Sequence, residues 1–285
     1  MPVSVVFGAS GAIGRFLLPR LLEADQEVVA VSREPRASGH PRLRWIAGNL
    51  PSDVAVVPGD ATIFSLGPLD AFAAWFAAHG TRDARVIAIG SRSIETKKDS
   101  QDAGEREVAL RLARAEAALD ASGARVTVLR PTLIYGAGLD RSLTPLVAFA
   151  RRWRVFAYVA GAKGLRQPVH ADDLAAACFA LARTLPQRRV YDVGGGERLA
   201  FSAMLRRVRA SLPFSAIALP VPLGVASAGA GLARVSPAFR AASAGALARM
   251  QQDLIADHSA AAADFGWSPR AFRPQARDWT PPPLP

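Results

Sequence analysis

The sequence predicts an α/β fold, in which a doubly wound parallel sheet carries a smaller, mostly helical second lobe. Three observations predict this fold. Apolar, β-rich runs alternate with helical runs from residue 3 to residue 138. The strand candidates are almost continuously apolar, as parallel strands covered on both faces are. The chain also opens on a strand, a glycine-rich turn and an apolar-periodic helix, in that order.

The alternation gives the elements in chain order. The predicted strands are Val3–Phe7, Glu27–Val31, Leu43–Ala47, Ala61–Leu66, Arg85–Gly90, Arg125–Arg130 and Val190–Val193. The predicted helices are Ala12–Ala24, Leu69–Ala78, Gly104–Ala121 and Asp172–Arg183. Between the third and fourth strands, Asn49–Gly59 is short and carries prolines. We therefore expect a reduced crossover helix there.

The first turn has the spacing of a dinucleotide-binding site. Gly8 allows a tight turn, Gly11 lets backbone approach a pyrophosphate, and Gly14 lets the helix pack closely on the strand. The helix N-terminus then supplies backbone N–H groups and a positive dipole to the phosphates. Because the turn stands between a strand and an amphipathic helix, it predicts a Rossmann-like sheet that binds a dinucleotide.

The end of the second strand favours NADP(H) over NAD(H). Proteins that prefer NAD usually place a carboxylate there to hold the ribose 2′-hydroxyl. This chain has Ser32 and Arg33, with Arg36 close behind. A guanidinium suits a 2′-phosphate through charge-assisted hydrogen bonds, whereas a carboxylate would repel it.

The strand–helix alternation breaks after Gly138 and returns between Pro168 and Gly196. We therefore predict two interleaved lobes, with a cleft between them at the carboxyl ends of the strands. The dinucleotide-binding domain covers residues 1–136 and 168–196. The substrate-binding lobe covers residues 137–167 and 197–285, where no clear strand series is visible.

Composition is that of a folded protein kept in a reducing compartment. Half of the 285 residues are hydrophobic, enough for an ordinary core. A strand stands almost at the start, with no basic leader and apolar stretch before it, so no secretory signal is expected. Cys178 is the sole cysteine and lies in an apolar run, which excludes a disulfide framework. A cytoplasmic location fits these features.

The charge balance is strongly basic, with 35 basic against 24 acidic residues and a net charge of +11. All but three basic residues are arginines, and no basic arm, helix-turn-helix pattern or zinc spacing accompanies them. We therefore expect surface arginines and no nucleic-acid partner. The uncharged segment Ala210–Ala233 is rich in proline and glycine, which argues against an integral membrane segment. It fits a buried or partner-facing segment, and a homodimer or a protein partner stays open.

Five motifs in order resemble the extended or atypical short-chain dehydrogenase/reductases of the NAD-dependent epimerase/dehydratase family. The resemblance spans nearly the whole chain. The motifs are Gly8-Ala9-Ser10-Gly11-Ala12-Ile13-Gly14, Arg130-Pro131-Thr132-Leu133-Ile134-Tyr135-Gly136, Pro168-Val169-His170-Ala171-Asp172-Asp173-Leu174-Ala175, Tyr191-Asp192-Val193-Gly194-Gly195-Gly196 and Asp264-Phe265-Gly266-Trp267-Ser268-Pro269-Arg270.

The resemblance implies three further groups of cofactor contacts. Asn49 and Leu50, after the third strand, would contact the adenine. Residues 65–67 would run beneath the dinucleotide, and Pro131 and Thr132 would flank the nicotinamide. The full predicted cofactor set is Gly8, Ser10, Gly11, Ala12, Ile13, Gly14, Ser32, Arg33, Arg36, Asn49, Leu50, Ser65, Leu66, Gly67, Pro131 and Thr132.

The tyrosine and lysine that the family carries four residues apart have no match here. The resemblance places Val108 and Leu112 at those positions, and no tyrosine in the chain stands four residues before a lysine. In relatives, the lysine and the nicotinamide lower the tyrosine pKa, so that the phenol exchanges a proton with the substrate. An unassisted phenol is roughly one part in a thousand ionised at pH 7, a deficit of about 4 kcal/mol.

Other residues are candidates for catalysis. By resemblance, Ser91 matches the catalytic serine and Ser93 is a close substitute. In one hypothesis either serine binds the substrate oxygen, while Lys97 or Lys98 supplies the proton; in the other, the segment 91–100 is an exposed polar loop. Tyr135 is a further catalytic candidate.

Four more polar residues receive predicted roles. Arg166 is a candidate for binding an anionic group of the substrate. His170 titrates near neutrality, but the resemblance implies a structural strand-to-helix junction. Asp172 and Asp173 fit helix capping better than acid/base work. No metal site is predicted.

Two functions remain in view at this point. The first is an NADP(H)-dependent oxidoreductase, epimerase or dehydratase acting on a small hydroxyl or carbonyl substrate, with a nucleotide sugar as the class that the resemblance implies. The second is a non-catalytic NADP(H)-binding sensor, regulator or assembly subunit. The retained cleft motifs favour the enzyme.

Overall fold

The computed structural model describes residues 3–34, 36–52, 61–222 and 249–285. Its strands are β1 Val3–Phe7, β2 Glu27–Ser32, β3 Leu43–Ala47, β4 Thr62–Ser65, β5 Arg85–Ile89, β6 Arg125–Pro131, β7 Ile134–Tyr135, β8 Val155–Ala160, β9 Leu165–Arg166, β10 Val169–His170, β11 Val190–Val193, β12 Leu199–Ala200 and β13 Ile217–Pro222. Its helices are α1 Gly14–Glu23, α2 Leu69–His79, α3 Ser93–Thr96, α4 Ala103–Ala121, α5 Thr144–Trp153, α6 Ala171–Arg183, α7 Phe201–Ala210 and α8 Ser259–Phe265, with a 3-10 helix at Ala276–Trp279.

Seven strands form one sheet in the order β11-β6-β5-β4-β1-β2-β3, and every pair in it is parallel. The predicted α/β fold is confirmed. Every predicted sheet strand overlaps its observed counterpart to within one residue at each end. The chain moves from β1 to β2 on one side and to β4 on the other, so the strand order reverses beside β1. Such a switch point is where open α/β sheets bind ligands.

Helices cover both faces of the sheet, because alternate residues of each strand are apolar on both sides. Val6 faces the hydrophobic cluster that contains α1 and α6 residues, whereas Val5 and Phe7 face the cluster of α2 and α4. Cys178 of α6 is fully buried in the first cluster, where burial raises the pKa of its thiol to about 12. It is a core residue, as predicted.

A third hydrophobic cluster lies apart from the two that cover the sheet. It joins Tyr135 and residues of α5, β8 and α7 to Phe272 and Trp279 near the C-terminus. No clear strand series was predicted for residues 139–167 and 197–285, but the structure contains a parallel pair there, β8 with β13. That expectation was wrong because β13 carries two prolines, which a strand tolerates at an edge. The division into two domains stays a prediction.

Segment 280–285 returns to the first helix of the chain. The Arg15 guanidinium donates a hydrogen bond to the Pro282 carbonyl, and Leu284 packs against the cluster that contains α1. No helix among the described residues has both the length and the apolar character needed to cross a bilayer. Parts of two segments singled out above, 53–59 and 223–233, lie outside the described residues.

Candidate active site

The glycine turn after β1 has the geometry that its spacing predicts. Gly8 adopts φ +76°, and the Gly11 amide donates to the Gly8 carbonyl at 2.9 Å. A Cβ atom on Gly14 would lie 2.3 Å from the Ala9 carbonyl oxygen, so this position accepts glycine alone. The predicted helix Ala12–Ala24 begins at Gly14, because residues 11–13 belong to the turn.

The loop after β4 lies against this turn, at the place where the dinucleotide crevice is predicted. The Leu66 amide donates to the Phe7 carbonyl at 3.0 Å, and a Cβ atom on Gly8 would lie 3.0 Å from the Gly67 nitrogen. A Cβ atom on Gly67 would meet nothing within 4 Å. The Ser65 hydroxyl is fully buried and has no hydrogen-bond partner in the described part of the chain. A close glycine turn, open space at Gly67 and an unpartnered hydroxyl fit a dinucleotide at this switch point.

Positive charge collects at the end of β2. Ser32 is buried, and its hydroxyl accepts a hydrogen bond from the Glu34 amide at 3.4 Å. Arg33 and Arg36 are exposed. Burial, together with the neighbouring Arg36 guanidinium, lowers the pKa of Arg15. Glu34 is well exposed and forms a long ion pair with Arg36 at 3.8 Å, whereas Arg33 makes no ion pair with another described residue.

Two residues assigned to the adenine end of the crevice follow β3. Asn49 is exposed, and Leu50 is half-buried against the cluster beneath the sheet. The Gly48 amide donates to the Ser32 carbonyl at 2.9 Å, which holds this loop beside the end of β2. The structure thus brings the predicted adenine and ribose residues to the same edge of the sheet.

The ends of β5 and β6 meet at the predicted nicotinamide end. The Arg92 amide donates to the Pro131 carbonyl at 3.0 Å, so the residues after both strands are adjacent. The Ser91 oxygen accepts a hydrogen bond from the Ser93 amide at 3.1 Å, which leaves the hydroxyl hydrogen of Ser91 free to donate. The Thr132 hydroxyl donates to the Gln167 carbonyl and is therefore already engaged.

The two candidate lysines differ in their surroundings. Lys98 is exposed and pairs with Glu95 at 3.2 Å. Lys97 is half-buried and makes no ion pair within the described ranges. Burial and the nearby Arg249 guanidinium lower the pKa of Lys97, while Asp102 raises it. Lys97 is therefore the better acid/base candidate of the two, and the segment 91–100 is not simply an exposed polar loop.

A buried ion pair fixes the position of α4 over the sheet. The Glu116 carboxylate accepts three hydrogen bonds from the Arg130 guanidinium, at 3.0, 3.2 and 2.5 Å. Leu112 lies one turn before Glu116 and Val108 two turns before it, and both are half-buried. Neither side chain can exchange a proton with a substrate.

Tyr135 is buried in the third hydrophobic cluster, an environment that does not favour its predicted catalytic role. The side chain is 2% exposed, and its ring packs edge-on against His170 and Phe272, at centroid distances of 5.0 and 4.8 Å. Burial and the Asp278 carboxylate raise the pKa of Tyr135 well above its usual range. Its strand β7 pairs with β10, outside the seven-stranded sheet whose strand β5 precedes Ser91.

Arg166 was wrongly predicted to bind the substrate. Its guanidinium donates to the carbonyls of Leu165, Gln252 and Arg249, at 2.8, 2.7 and 2.7 Å. The residue is 5% exposed and stacks 4.9 Å over the Phe201 ring. Its donors are directed at these carbonyls, so it holds the second lobe together.

His170 caps α6, a role that the sequence suggested for Asp172 and Asp173. Its Nδ1 accepts a hydrogen bond from the Asp172 amide at 3.1 Å. The two aspartates instead pair with Arg270, each at 2.7 Å. That expectation failed because the helix begins at Ala171, one residue earlier than predicted.

Sequence reasoning missed Glu105 and Arg249, which join α4 to the segment that follows residue 248. Glu105 is 8% exposed near the start of α4, accepts a hydrogen bond from the Ser100 hydroxyl at 2.7 Å and pairs with the Arg249 guanidinium. An isolated arginine in a segment without strand periodicity gave no signal of this contact.

Comparison with known proteins agrees with this geometry. Residues 110–194 match the model of the NAD dependent epimerase/dehydratase family, so the resemblance is confirmed over that segment. No curated protein sequence matches the chain significantly.

Several solved structures share the fold over almost the whole chain. UDP-glucuronic acid 4-epimerase from Bacillus cereus, in complex with NAD, is 13% identical with a TM-score of 0.66, covering 98% of this chain and 96% of its own. A dTDP-glucose 4,6-dehydratase from Bacillus anthracis, also in complex with NAD, is 12% identical with a TM-score of 0.65, covering 98% and 94%. A UDP-galactose 4-epimerase is 16% identical with a TM-score of 0.67, covering 98% and 97%. At such identities the likeness shows the fold.

Proposed function

We propose that this protein is an NADP(H)-dependent oxidoreductase or epimerase that acts on a hydroxyl or carbonyl substrate without a tyrosine–lysine pair. The crevice at the switch point carries the proposal, because the glycine turn, the open space at Gly67 and the arginines after β2 suit a phosphorylated dinucleotide. The structural neighbours complexed with NAD support a nicotinamide cofactor.

The preference for NADP(H) depends on Arg33 and Arg36. Both are exposed beside the buried Ser32, and no carboxylate occupies the position directly after β2. Charge-assisted hydrogen bonds from guanidinium groups would hold a 2′-phosphate. The 2′-hydroxyl of NAD is uncharged, so its hydrogen bonds to these guanidinium groups would be weaker.

Replacing Arg33 and Arg36 together with glutamine should weaken NADPH binding at least about tenfold, because two charge-assisted contacts to the phosphate are lost. NADH binding should change by less than about twofold. Isothermal titration calorimetry measures both affinities. Arg44→Gln, an exposed arginine on β3, is the matched control for charge. Equal losses for the two dinucleotides would contradict the proposed preference.

The chemistry depends on Ser91 and Lys97. When NADPH is bound, it would supply a hydride to the carbonyl carbon of the substrate. The Ser91 hydroxyl, whose hydrogen is free, would bind the substrate oxygen, and the Lys97 ammonium would donate the proton that completes the alcohol. The lowered pKa of Lys97 brings proton donation closer to neutral pH.

Lys97→Met should reduce turnover by about 100-fold or more while leaving the NADPH dissociation constant unchanged, because it removes the proton donor alone. In the wild type, carbonyl reduction should slow as the pH rises through the pKa of Lys97, since the neutral amine cannot protonate the product. Steady-state kinetics with NADPH measures both effects. Lys98→Met is the control, and undiminished turnover in Lys97→Met would refute the assignment.

The substrate class rests on the structural neighbours, among them a UDP-glucuronic acid 4-epimerase and a UDP-galactose 4-epimerase. We infer that nucleotide sugars are the first substrates to test, alongside a panel of simple carbonyl compounds. The cytoplasmic location and a homodimer or protein partner stay predictions.

The second candidate is a non-catalytic NADP(H) sensor, favoured by the aliphatic side chains at Val108 and Leu112. NADPH binding followed by fluorescence, with oxidation of NADPH scanned over the same panel, separates the two functions. Tight binding without turnover on any compound would favour the sensor. Absence of dinucleotide binding would refute both.

A further inference from the structure

Two adjoining cavities lie where α6 meets the C-terminal segment, on the side of the second lobe's core. Their volumes are about 280 and 460 Å³, and they share His170, Arg270, Arg277 and Asp278. Tyr135 and Arg273 line the smaller cavity. None of the residues assigned to the dinucleotide lines either one.

Two of the arginines that line these cavities have no ion-pair partner among the described residues. The Arg270 guanidinium is bound by Asp172 and Asp173. By contrast, Arg273 and Arg277 are exposed, and neither makes an ion pair with another residue that the structure describes. The charge of Arg273 contributes to lowering the pKa of Glu197, but the Glu197 carboxylate is hydrogen-bonded to Arg207, at 2.6 and 2.7 Å.

The acidic group in the cavity wall is also engaged. One oxygen of Asp278 accepts from the Gln275 amide at 2.8 Å, and the other lies 3.4 Å from His170 Nε2. Because His170 Nδ1 accepts from a backbone amide, Nε2 is the ring nitrogen that carries a hydrogen and donates it to Asp278. Both oxygens of this carboxylate therefore have hydrogen-bond donors within the protein, which offsets part of its repulsion of a bound anion.

The Tyr135 hydroxyl supplies an independent indication of a ligand. The residue is 2% exposed and lines the smaller cavity, yet its hydroxyl makes no hydrogen bond to any other described residue. The hydroxyl oxygen is open to the cavity and is not one of the sealed polar atoms that lack a partner in the described part of the chain. Since its pKa is raised, this hydroxyl keeps its proton and remains a donor. A hydroxyl donor that opens into a cavity lined by two unpaired guanidinium groups suits an oxyanion.

We propose that this cavity is a second ligand site, which binds a phosphate group through the Tyr135 hydroxyl and the guanidinium groups of Arg273 and Arg277. Arginine forks match phosphate oxygens in geometry and charge. The smaller cavity, of about 280 Å³, is many times larger than the volume of about 30 Å³ that one water molecule takes, so a phosphate group fits within it. The larger cavity extends to Phe16 of α1 and Pro282, where the remainder of a phosphate monoester would lie. The proposal does not depend on the function proposed for the dinucleotide crevice.

Isothermal titration calorimetry of the full chain, with inorganic phosphate and with glycerol 3-phosphate, tests the site. We expect saturable binding of phosphate, and tighter binding of the monoester if a phosphorylated metabolite is the natural ligand. Tyr135→Phe should weaken binding about tenfold, because one hydrogen bond to a charged group is lost. Arg273→Gln with Arg277→Gln should weaken it by more.

Controls separate this site from the dinucleotide crevice, where phosphate could also bind. Arg188→Gln removes an exposed arginine elsewhere and should leave phosphate affinity unchanged. All variants should keep the wild-type affinity for NADPH and the wild-type circular dichroism spectrum. The proposal is overturned if the wild type shows no saturable phosphate binding, or if either Tyr135→Phe or the double arginine variant binds phosphate as the wild type does.

Discussion

Replacing Glu116 with alanine will lower the free energy of unfolding by about 3 kcal/mol, since it removes one partner of a largely buried ion pair. The Glu116 side chain is 9% exposed and that of Arg130 is 18% exposed. Without Glu116, the Arg130 guanidinium keeps only Glu95, at 3.7 Å, as a paired carboxylate among the described residues. Most of the expected loss comes from leaving that cation in a low-dielectric environment.

Urea unfolding followed by circular dichroism measures this loss. Glu107→Ala removes an exposed carboxylate from the same helix and should change stability by less than about 0.5 kcal/mol. The double variant Glu116→Leu with Arg130→Met should recover much of the stability, because apolar side chains of similar volume replace a buried ion pair at little cost. A loss below about 1 kcal/mol in Glu116→Ala would mean that the pair does not anchor α4.

Gly14→Ala will impair both folding and dinucleotide binding. The added Cβ atom would lie 2.3 Å from the Ala9 oxygen and 2.6 Å from its carbonyl carbon. Backbone must move to relieve this contact, at an expected cost of about 3 kcal/mol. The same movement displaces the N-terminus of α1, so NADPH affinity should fall at least about tenfold.

Two glycine controls make this result specific. Gly39→Ala places its Cβ atom in open space and should leave both stability and NADPH affinity unchanged. Gly67→Ala also meets nothing within 4 Å, yet it would project into the crevice where the dinucleotide is proposed. It should therefore weaken NADPH binding without lowering the melting temperature. If Gly67→Ala binds NADPH normally, the cofactor does not lie over that loop.

The sheet and the glycine turn were predictable because their signals are local. Apolar runs such as Val3–Phe7 need burial on both faces, and the close contact at Gly14 is specified by residues within the same turn. The roles of Tyr135 and Arg166 were not predictable in this way. Their burial depends on partners distant in sequence, among them Phe272 for the tyrosine and Gln252 for the arginine.

The candidate site was predictable in part, where its residues follow neighbouring strands, and not where its properties depend on distant residues. Ser91 follows β5 and Pro131 ends β6, and these strands are parallel neighbours, so the sequence could indicate that the two segments meet at one edge of the sheet. The difference between Lys97 and Lys98 needed the structure, since only the fold shows that Arg249 and burial act on the first. The pairing of Glu105 with Arg249 joins segments that share no periodic pattern.

The contact between Arg15 and the Pro282 carbonyl has a consequence for biosynthesis. Its two partners are 267 residues apart in the chain. At a translation rate of roughly 5–20 residues per second, the nascent first helix waits on the order of 10 to 50 seconds for this partner. During that interval the apolar surface that Leu284 later covers stays open on the ribosome, where a chaperone could bind it.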